Sequence, residues 1–200
     1  MRVALFGGTF DPIHRGHLAI AKAAADAFHL DTILFAPAGR QPLKPEGTPT
    51  PFSDRIAMVR LATASDPRFA ASDLDAPHPD GTPNYTVDTL STLQRQMPKA
   101  TLFVLVGADS FLHLRQWHQP DQLLTLADWI VVSRPGFALE DLSSLHLTPD
   151  QLARVHILST VHEDVSATSL RERLQRGAPC IELLPAVLDY IQAHHLYNRC

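Results

Sequence analysis

Six short apolar runs, each followed by a stretch with helical character, constrain this chain more than any other feature of it. The runs are Arg2–Phe6, Thr32–Ala36, Phe69–Ser72, Thr101–Val106, Trp129–Val132 and Val155–Leu158. Each is continuously apolar rather than strictly alternating, as a strand reads when both of its faces are covered. The helix candidates are Gly16–Phe28, Asp54–Ala64, Thr86–Gln96, Pro120–Ala127, Ser169–Arg176 and Pro185–His194. In the first, Leu18, Ala21, Ala25 and Phe28 form one stripe. Ser53 or Asp54 is the expected cap of the second, and Ser169 to Glu172 has the spacing of a capping box. Alternation of this kind predicts an α/β fold: a doubly wound parallel sheet between two layers of helices. With 200 residues, 45% of them apolar, and no linker or internal repeat, the chain is expected to form one domain over residues 1–200.

Charge and composition exclude several classes of function. A formal net charge of -4 is wrong for a broad basic face, so no nucleic-acid partner is expected; a small anionic ligand needs only a local cluster of positive groups. No apolar run approaches membrane-spanning length, and the N-terminus opens on a strand-like segment rather than a secretory leader. The two cysteines, Cys180 and the terminal Cys200, cannot make a disulfide framework, so a cytoplasmic location is expected. Eleven histidines raise the question of metal, but none has the spacing of a zinc ribbon or an HExxH helix, and no protein-held metal is expected. Nothing in the sequence specifies an oligomeric state.

Open parallel sheets bind ligands beyond the carboxyl ends of their strands, where the strand order reverses. The segments at that edge are Gly7–His14, Pro37–Lys44, Leu74–Asn84, Gly107–Ser110, Ser133–Gly136 and Ser159–Thr168. The first continues into the most specific run of the chain, GGTFDPIHRGH. Gly7 and Gly8 allow a sharp turn and close approach of a ligand to the main chain, beside Thr9 and Phe10. The helix that follows directs its free N–H groups and positive end at the loop, which suits a phosphate. The run lacks the lysine of a Walker loop and is not G-x-G-x-x-G. It carries His14 and His17 instead, three apart and so on one face of the first helical turn, with Gly16 removing a side chain between them.

GGTFDPIHRGH resembles the opening motif of the (T/H)xGH nucleotidyltransferases, and in particular that of the bacterial nicotinate mononucleotide adenylyltransferase family. The likeness extends over nearly the whole chain: NYTVDTL at Asn84–Leu90, VGADSFLHLRQW at Val106–Trp117, SRPG at Ser133–Gly136, VSATSLRERL at Val165–Leu174 and YIQAHHLY at Tyr190–Tyr197. The resemblance implies a Rossmann-like nucleotidyltransferase fold. It implies adenylyl transfer from ATP to nicotinate mononucleotide, with Mg²⁺ carried on the ATP phosphates. Related acceptors are nicotinamide mononucleotide and phosphopantetheine, and a reading of another class is a nucleotide-binding regulatory module without catalysis.

The same resemblance implies the site. His14, His17, Lys44 and Arg171 would be catalytic. Gly7, Gly8, Thr9, Phe10, Gly16, Gly107, Asp109, Ser166 and Thr168 would join His14, His17 and Arg171 around ATP. Thr9, Lys44, Tyr85, Thr86, Asp109, Trp117, His118 and Arg134 would receive the mononucleotide. Each position also has a physical reading. Asp109, after a strand and a glycine, can bind ribose hydroxyls, with a helix cap as its alternative. Trp117 offers a face for stacking a pyridine ring or belongs to the core. Tyr85 and Thr86 open a helix whose N–H groups suit a carboxylate. Lys44 and Arg134 are cations beside the cleft or solvated charges. Ser166, Thr168 and Arg171 surround another helix start, with an arginine to reach phosphate oxygens. A helix start lowers the pKa of a histidine and a bound phosphate raises it, so His14 and His17 are expected to gain charge, or to donate hydrogen bonds, when ATP arrives.

Three positions depart from the family pattern. The P-P-H-[KR] segment reads Gln41-Pro42-Leu43-Lys44, keeping the lysine without the histidine. The residue after the tryptophan is His118. Ala167 replaces the second serine of the late motif.

Overall fold

Six strands form a single parallel sheet in this computed structural model, which describes residues 1–42, 48–133, 139–159 and 165–197. They are β1 (Arg2–Gly8), β2 (Thr32–Pro37), β3 (Phe69–Ala71), β4 (Thr101–Gly107), β5 (Asp128–Ser133) and β6 (Val155–Ser159). The spatial order is β3-β2-β1-β4-β5-β6. The helices are α1 (Arg15–Phe28), α2 (Phe52–Thr63), α3 (Thr86–Gln96), α4 (Ala108–Phe111), α5 (Pro120–Leu126), α6 (Pro149–Leu152), α7 (Ala167–Gln175) and α8 (Pro185–Ala193). The expected doubly wound Rossmann-like architecture is therefore the observed one.

The unbroken apolar runs acquire their meaning from the strand period of two. Alternate residues feed two separate cores. Ala4, Phe6, Phe103, Leu105 and Ile130 face a layer that includes Ala21 and Ala25 of α1, Met58 and Val59 of α2, Leu170 of α7 and Val187 of α8. Their neighbours Val3, Leu5, Leu102, Val104, Trp129 and Val131 face the opposite layer, with Leu90 and Leu93 of α3 and Leu123 and Leu124 of α5. A strand serving two cores leaves polar side chains to its ends, as with Arg2 of β1 and Asp128 and Ser133 of β5. Among the described residues no helix is long and apolar enough to cross a membrane.

Several local expectations need correction. β1 continues through Gly7 and Gly8, which pair in register with Ala36 and Pro37; the chain does not break at the glycines. The turn is made at Phe10, whose φ of 48 lies in the left-handed region. Gly8 is closely packed instead: a Cβ there would meet the Phe10 ring at 3.1 Å, and the ring would have to give by a few tenths of an ångström. α2 begins at Phe52 with Pro51 in the cap position, so neither Ser53 nor Asp54 caps it; Asp54 lies in the first turn, where a carboxylate complements the helix dipole. α7 begins at Ala167 with Ser166 as its cap residue, which puts Ser169 and Glu172 inside the helix and leaves the capping-box spacing without a cap.

Candidate active site

The strand order reverses between β1 and β4, and a cleft of about 990 Å³ opens at the carboxyl ends of those two strands. Its walls unite residues from distant parts of the sequence. Gly7, Gly8 and Thr9 come from the end of β1, and Tyr85 and Thr86 from the start of α3. Asp109 comes from α4, and Trp117 and His118 from the segment before α5. Thr86 is the first residue of α3 and Tyr85 its cap residue, so the free N–H end of that helix is part of the wall. Tyr85 and His118 are in ring contact, with centroids 4.3 Å apart and planes tilted by 31°. Trp117 fits both of its sequence readings: it is half-buried with its ring 5.9 Å from Trp129, and it also lines the cleft. Asp109 is exposed in the first turn of α4, and Gly107 occupies the cap position, so the helix-cap reading of Asp109 is not the one realised.

His14 and His17 stand at the start of α1, outside the residues that line this cleft. Their ring centroids are 3.7 Å apart, and the His17 ring is also 5.0 Å from that of Phe10. The backbone N–H of His14 donates to His17 Nδ1 at 3.3 Å. An accepting Nδ1 leaves the proton of neutral His17 on Nε2, which is then a donor. His14 Nδ1 is buried without a hydrogen-bond partner among the described residues. Burial, rather than the helix end, is the main force on both rings. It lowers the pKa of His14 to about 4, with the charge of Glu182 opposing, and lowers that of His17 well below the ordinary value, with repulsion from His14 adding to the effect. Both rings are therefore neutral at pH 7 in the free protein, and each needs an anion close by before it can take a proton.

The late motif reaches the same loop. Arg171 Nη1 donates to the carbonyl of Asp11 at 2.7 Å, and Nη2 donates to Thr168 Oγ1 at 3.2 Å. Arg171 thus spans from α7 to the loop between β1 and α1, while Ser166 and Thr168 stay exposed at the start of α7. Gly16 is buried within the first turn of α1. Lys44 and Arg134, together with Leu43, lie outside the described residues.

Sequence reasoning missed the side chains that hold these loops in place. Asn84 accepts from the backbone N–H of Arg40 at 2.9 Å and donates to the Ala76 carbonyl at 2.9 Å, tying the loop after β2 to the approach to α3. Asp75 is buried at the cleft wall; it accepts a hydrogen bond from Thr89 of α3, and burial raises its pKa. Tyr197 donates to Asp11 Oδ1 at 2.5 Å. Arg55 is 2% exposed and bonds only to backbone carbonyls among the described residues. Its sequence signal was legible: it precedes Met58 and Val59 by three and four positions, which puts a charge on the apolar face of α2.

Residues 5–173 match the family described as cytidylyltransferase-like. A probable nicotinate-nucleotide adenylyltransferase of Leifsonia xyli subsp. xyli is 41% identical over 198 residues, 98% of this chain and 94% of its own length. Another, from Roseiflexus sp., is 41% identical over 197 residues and is matched over 98% of both chains. The chain belongs to the nicotinate-nucleotide adenylyltransferase family. The solved structure of Plasmodium falciparum nicotinic acid mononucleotide adenylyltransferase complexed with NaAD matches it with a TM-score of 0.78. That likeness covers 98% of this chain and 97% of the other at 18% identity, and it shows the shared fold.

Proposed function

We propose that this chain transfers the adenylyl group of ATP to nicotinate mononucleotide, forming nicotinate adenine dinucleotide and pyrophosphate in NAD biosynthesis. One observation carries the reading. The glycine-rich end of β1 leads in one direction to a pair of neutral histidines in ring contact at a helix start. In the other it faces a cleft with an aromatic wall and the free N–H end of α3. The first arrangement suits a triphosphate, and the second an acidic pyridine ring.

The chemistry needs no protein nucleophile. A phosphate monoester has a second pKa of about 6, so the acceptor is already anionic at neutral pH. One of its oxygens attacks the α-phosphorus of ATP. The bond from that phosphorus to the bridging oxygen breaks, and pyrophosphate leaves with the electron pair. The protein's part is to align two polyanions and to stabilise charge on the leaving group. In this account the Nε2–H of His17 donates to a phosphate oxygen, His14 is charged by the approaching anion, and Arg171 and Lys44 add fixed positive charge. Asp109 takes ribose hydroxyls, Trp117 and His118 hold the pyridine ring, and the start of α3 receives the nicotinate carboxylate. Arg134 and the backbone of Gly7 to Phe10 complete the cradle.

Mg²⁺ is proposed to arrive on the triphosphate and to neutralise part of its charge. An ion of this kind is held mainly by phosphate oxygens and water rather than by a protein cage. A cytoplasmic location, with ready access to ATP, belongs to the same proposal.

The test is turnover with ATP and nicotinate mononucleotide, followed as pyrophosphate and dinucleotide released in equal amounts. His17→Ala is expected to lower kcat by about 100-fold or more while the protein stays folded, the scale of losing one preorganised donor. Retained turnover in that variant would remove the role of His17. ATP binding without pyrophosphate release by the unaltered protein would make it a nucleotide-binding module.

A further inference from the structure

Arg55 is a buried cation whose guanidinium lies directly behind the substrate cleft. Its Nη1 donates to the carbonyl of Thr9 at 2.7 Å, its Nη2 to that of Ala38 at 2.8 Å and its Nε to that of Thr50 at 3.1 Å. Thr9 and Ala38 both line the cleft. Thr9 follows β1, and Ala38 follows β2, the neighbouring strand in the sheet. The Ala38 N–H also donates to the Gly8 carbonyl at 2.8 Å, so the two segments are joined to each other as well as to Arg55. The Phe52 ring flanks the guanidinium, 5.6 Å from its carbon.

Burial of a cation is costly, and among the described residues no carboxylate bonds this guanidinium; its three hydrogen bonds to backbone carbonyls offset part of that cost. Burial pulls the Arg55 pKa down, while the charge of Asp11 opposes it without a hydrogen bond to the guanidinium. A planar fork with donors at fixed angles can meet three carbonyls at once, whereas the single ammonium centre of a lysine cannot span them.

We propose that Arg55 is a positioning residue for the adenylyl transfer: its fork fixes the Thr9 segment against the Ala38 segment and so sets the placement of the cleft wall on which the substrates align. The inference rests on the activity proposed above. Misplacement of reacting groups by about 1 Å costs on the order of 100-fold in rate, and the loss appears in kcat when substrates still bind.

The experiment compares the unaltered protein, Arg55→Lys and Arg55→Ala by pyrophosphate release, at a temperature well below the unfolding midpoint of each. Arg55→Lys keeps the charge and loses the fork. It is expected to lose at least about tenfold in kcat with a much smaller change in KM for either substrate. Guanidinium ion at low millimolar concentration is expected to restore part of the kcat of Arg55→Ala, where ammonium at the same concentration does not. Full kcat in Arg55→Lys would overturn the proposal. So would a rise in KM at constant kcat, or equal effects of guanidinium and ammonium. Loss of cooperative unfolding in both variants would overturn it too, because Arg55 would then serve the whole fold. No turnover by the unaltered protein would instead refute the activity reading, which separates that failure from failure of the clamp.

Discussion

The neutrality of His14 makes the fold sensitive to acid in a way that can be isolated. The His14 side chain is 6% exposed, and its pKa falls from an ordinary 6.5 to about 4 in the folded protein. In the unfolded chain it takes up a proton as pH drops below 6.5, while in the folded chain it does not until about pH 4. The unfolded state therefore binds more protons in that window, so stability is fully present above pH 6.5 and is lost as pH falls toward 4. At pH 5 the unfolded residue is about 1.5 units below its pKa, which at about 1.36 kcal/mol per unit is a loss of about 2 kcal/mol. His14→Asn keeps a small polar group and removes the titration. Urea unfolding of both proteins at pH 7.5 and pH 5 reads the effect: the carboxylates titrate in each, and removing His14 also relieves its repulsion of His17, which reduces the variant's loss in the same direction. For a slope of about 2 kcal/mol per molar urea, the unaltered protein should lose about 1 M more in midpoint than the variant over that interval. The comparison lies in the pH dependence, so any constant cost of the substitution cancels. Equal losses in the two proteins would refute the claim that His14 is held neutral by burial.

Other expected outcomes concern the walls of the cleft. Gly39→Ala would place a Cβ 2.6 Å from both Asn84 Oδ1 and the backbone N of Pro77, and 2.7 Å from the Asp75 carbonyl. Two of those atoms are backbone, so the variant should lose about 1–3 kcal/mol in urea unfolding, and a Cβ accommodated without loss would contradict this packing. Trp117→Leu should raise KM for the pyridine mononucleotide by about threefold to tenfold while KM for ATP changes little, the scale of one lost aromatic contact. Equal changes in both KM values would place the ring elsewhere in the site.

The parts of the fold that were legible in the sequence were those set by burial. Runs such as Thr101–Val106 are strands with two covered faces, and their shortness and β-branched content favour a strand over a buried helix. α3 lies at Thr86–Gln96 as expected, and its start is the part that matters for the cleft. Strand order was not legible, because it depends on which strand pairs with which across long separations. Helix starts at α2 and α7 were misplaced because Ser and Asp are as much at home in a first turn as at a cap.

The motifs located the loops of the candidate site, but not their support. His14, His17 and Arg171 stand out in sequence by type and spacing. Arg55, Asp75, Asn84 and Tyr197 act through backbone carbonyls or other side chains far away in the chain, and only the folded structure brings those partners together. The state of the histidines was illegible for a similar reason. Spacing placed both rings on one face of a helix turn, but their neutrality comes from how deeply that face is buried.

The central claim is adenylyl transfer to an acidic pyridine mononucleotide. It is tested most directly by kcat/KM for nicotinate mononucleotide and nicotinamide mononucleotide, measured side by side at fixed ATP and Mg²⁺ with pyrophosphate as the readout. The account predicts turnover with both pyrophosphate and dinucleotide as products, and a clear preference for the acid, whose carboxylate meets the free N–H end of α3. Equal rates for acid and amide would remove that role from the start of α3, and pyrophosphate release with neither would contradict the account as a whole.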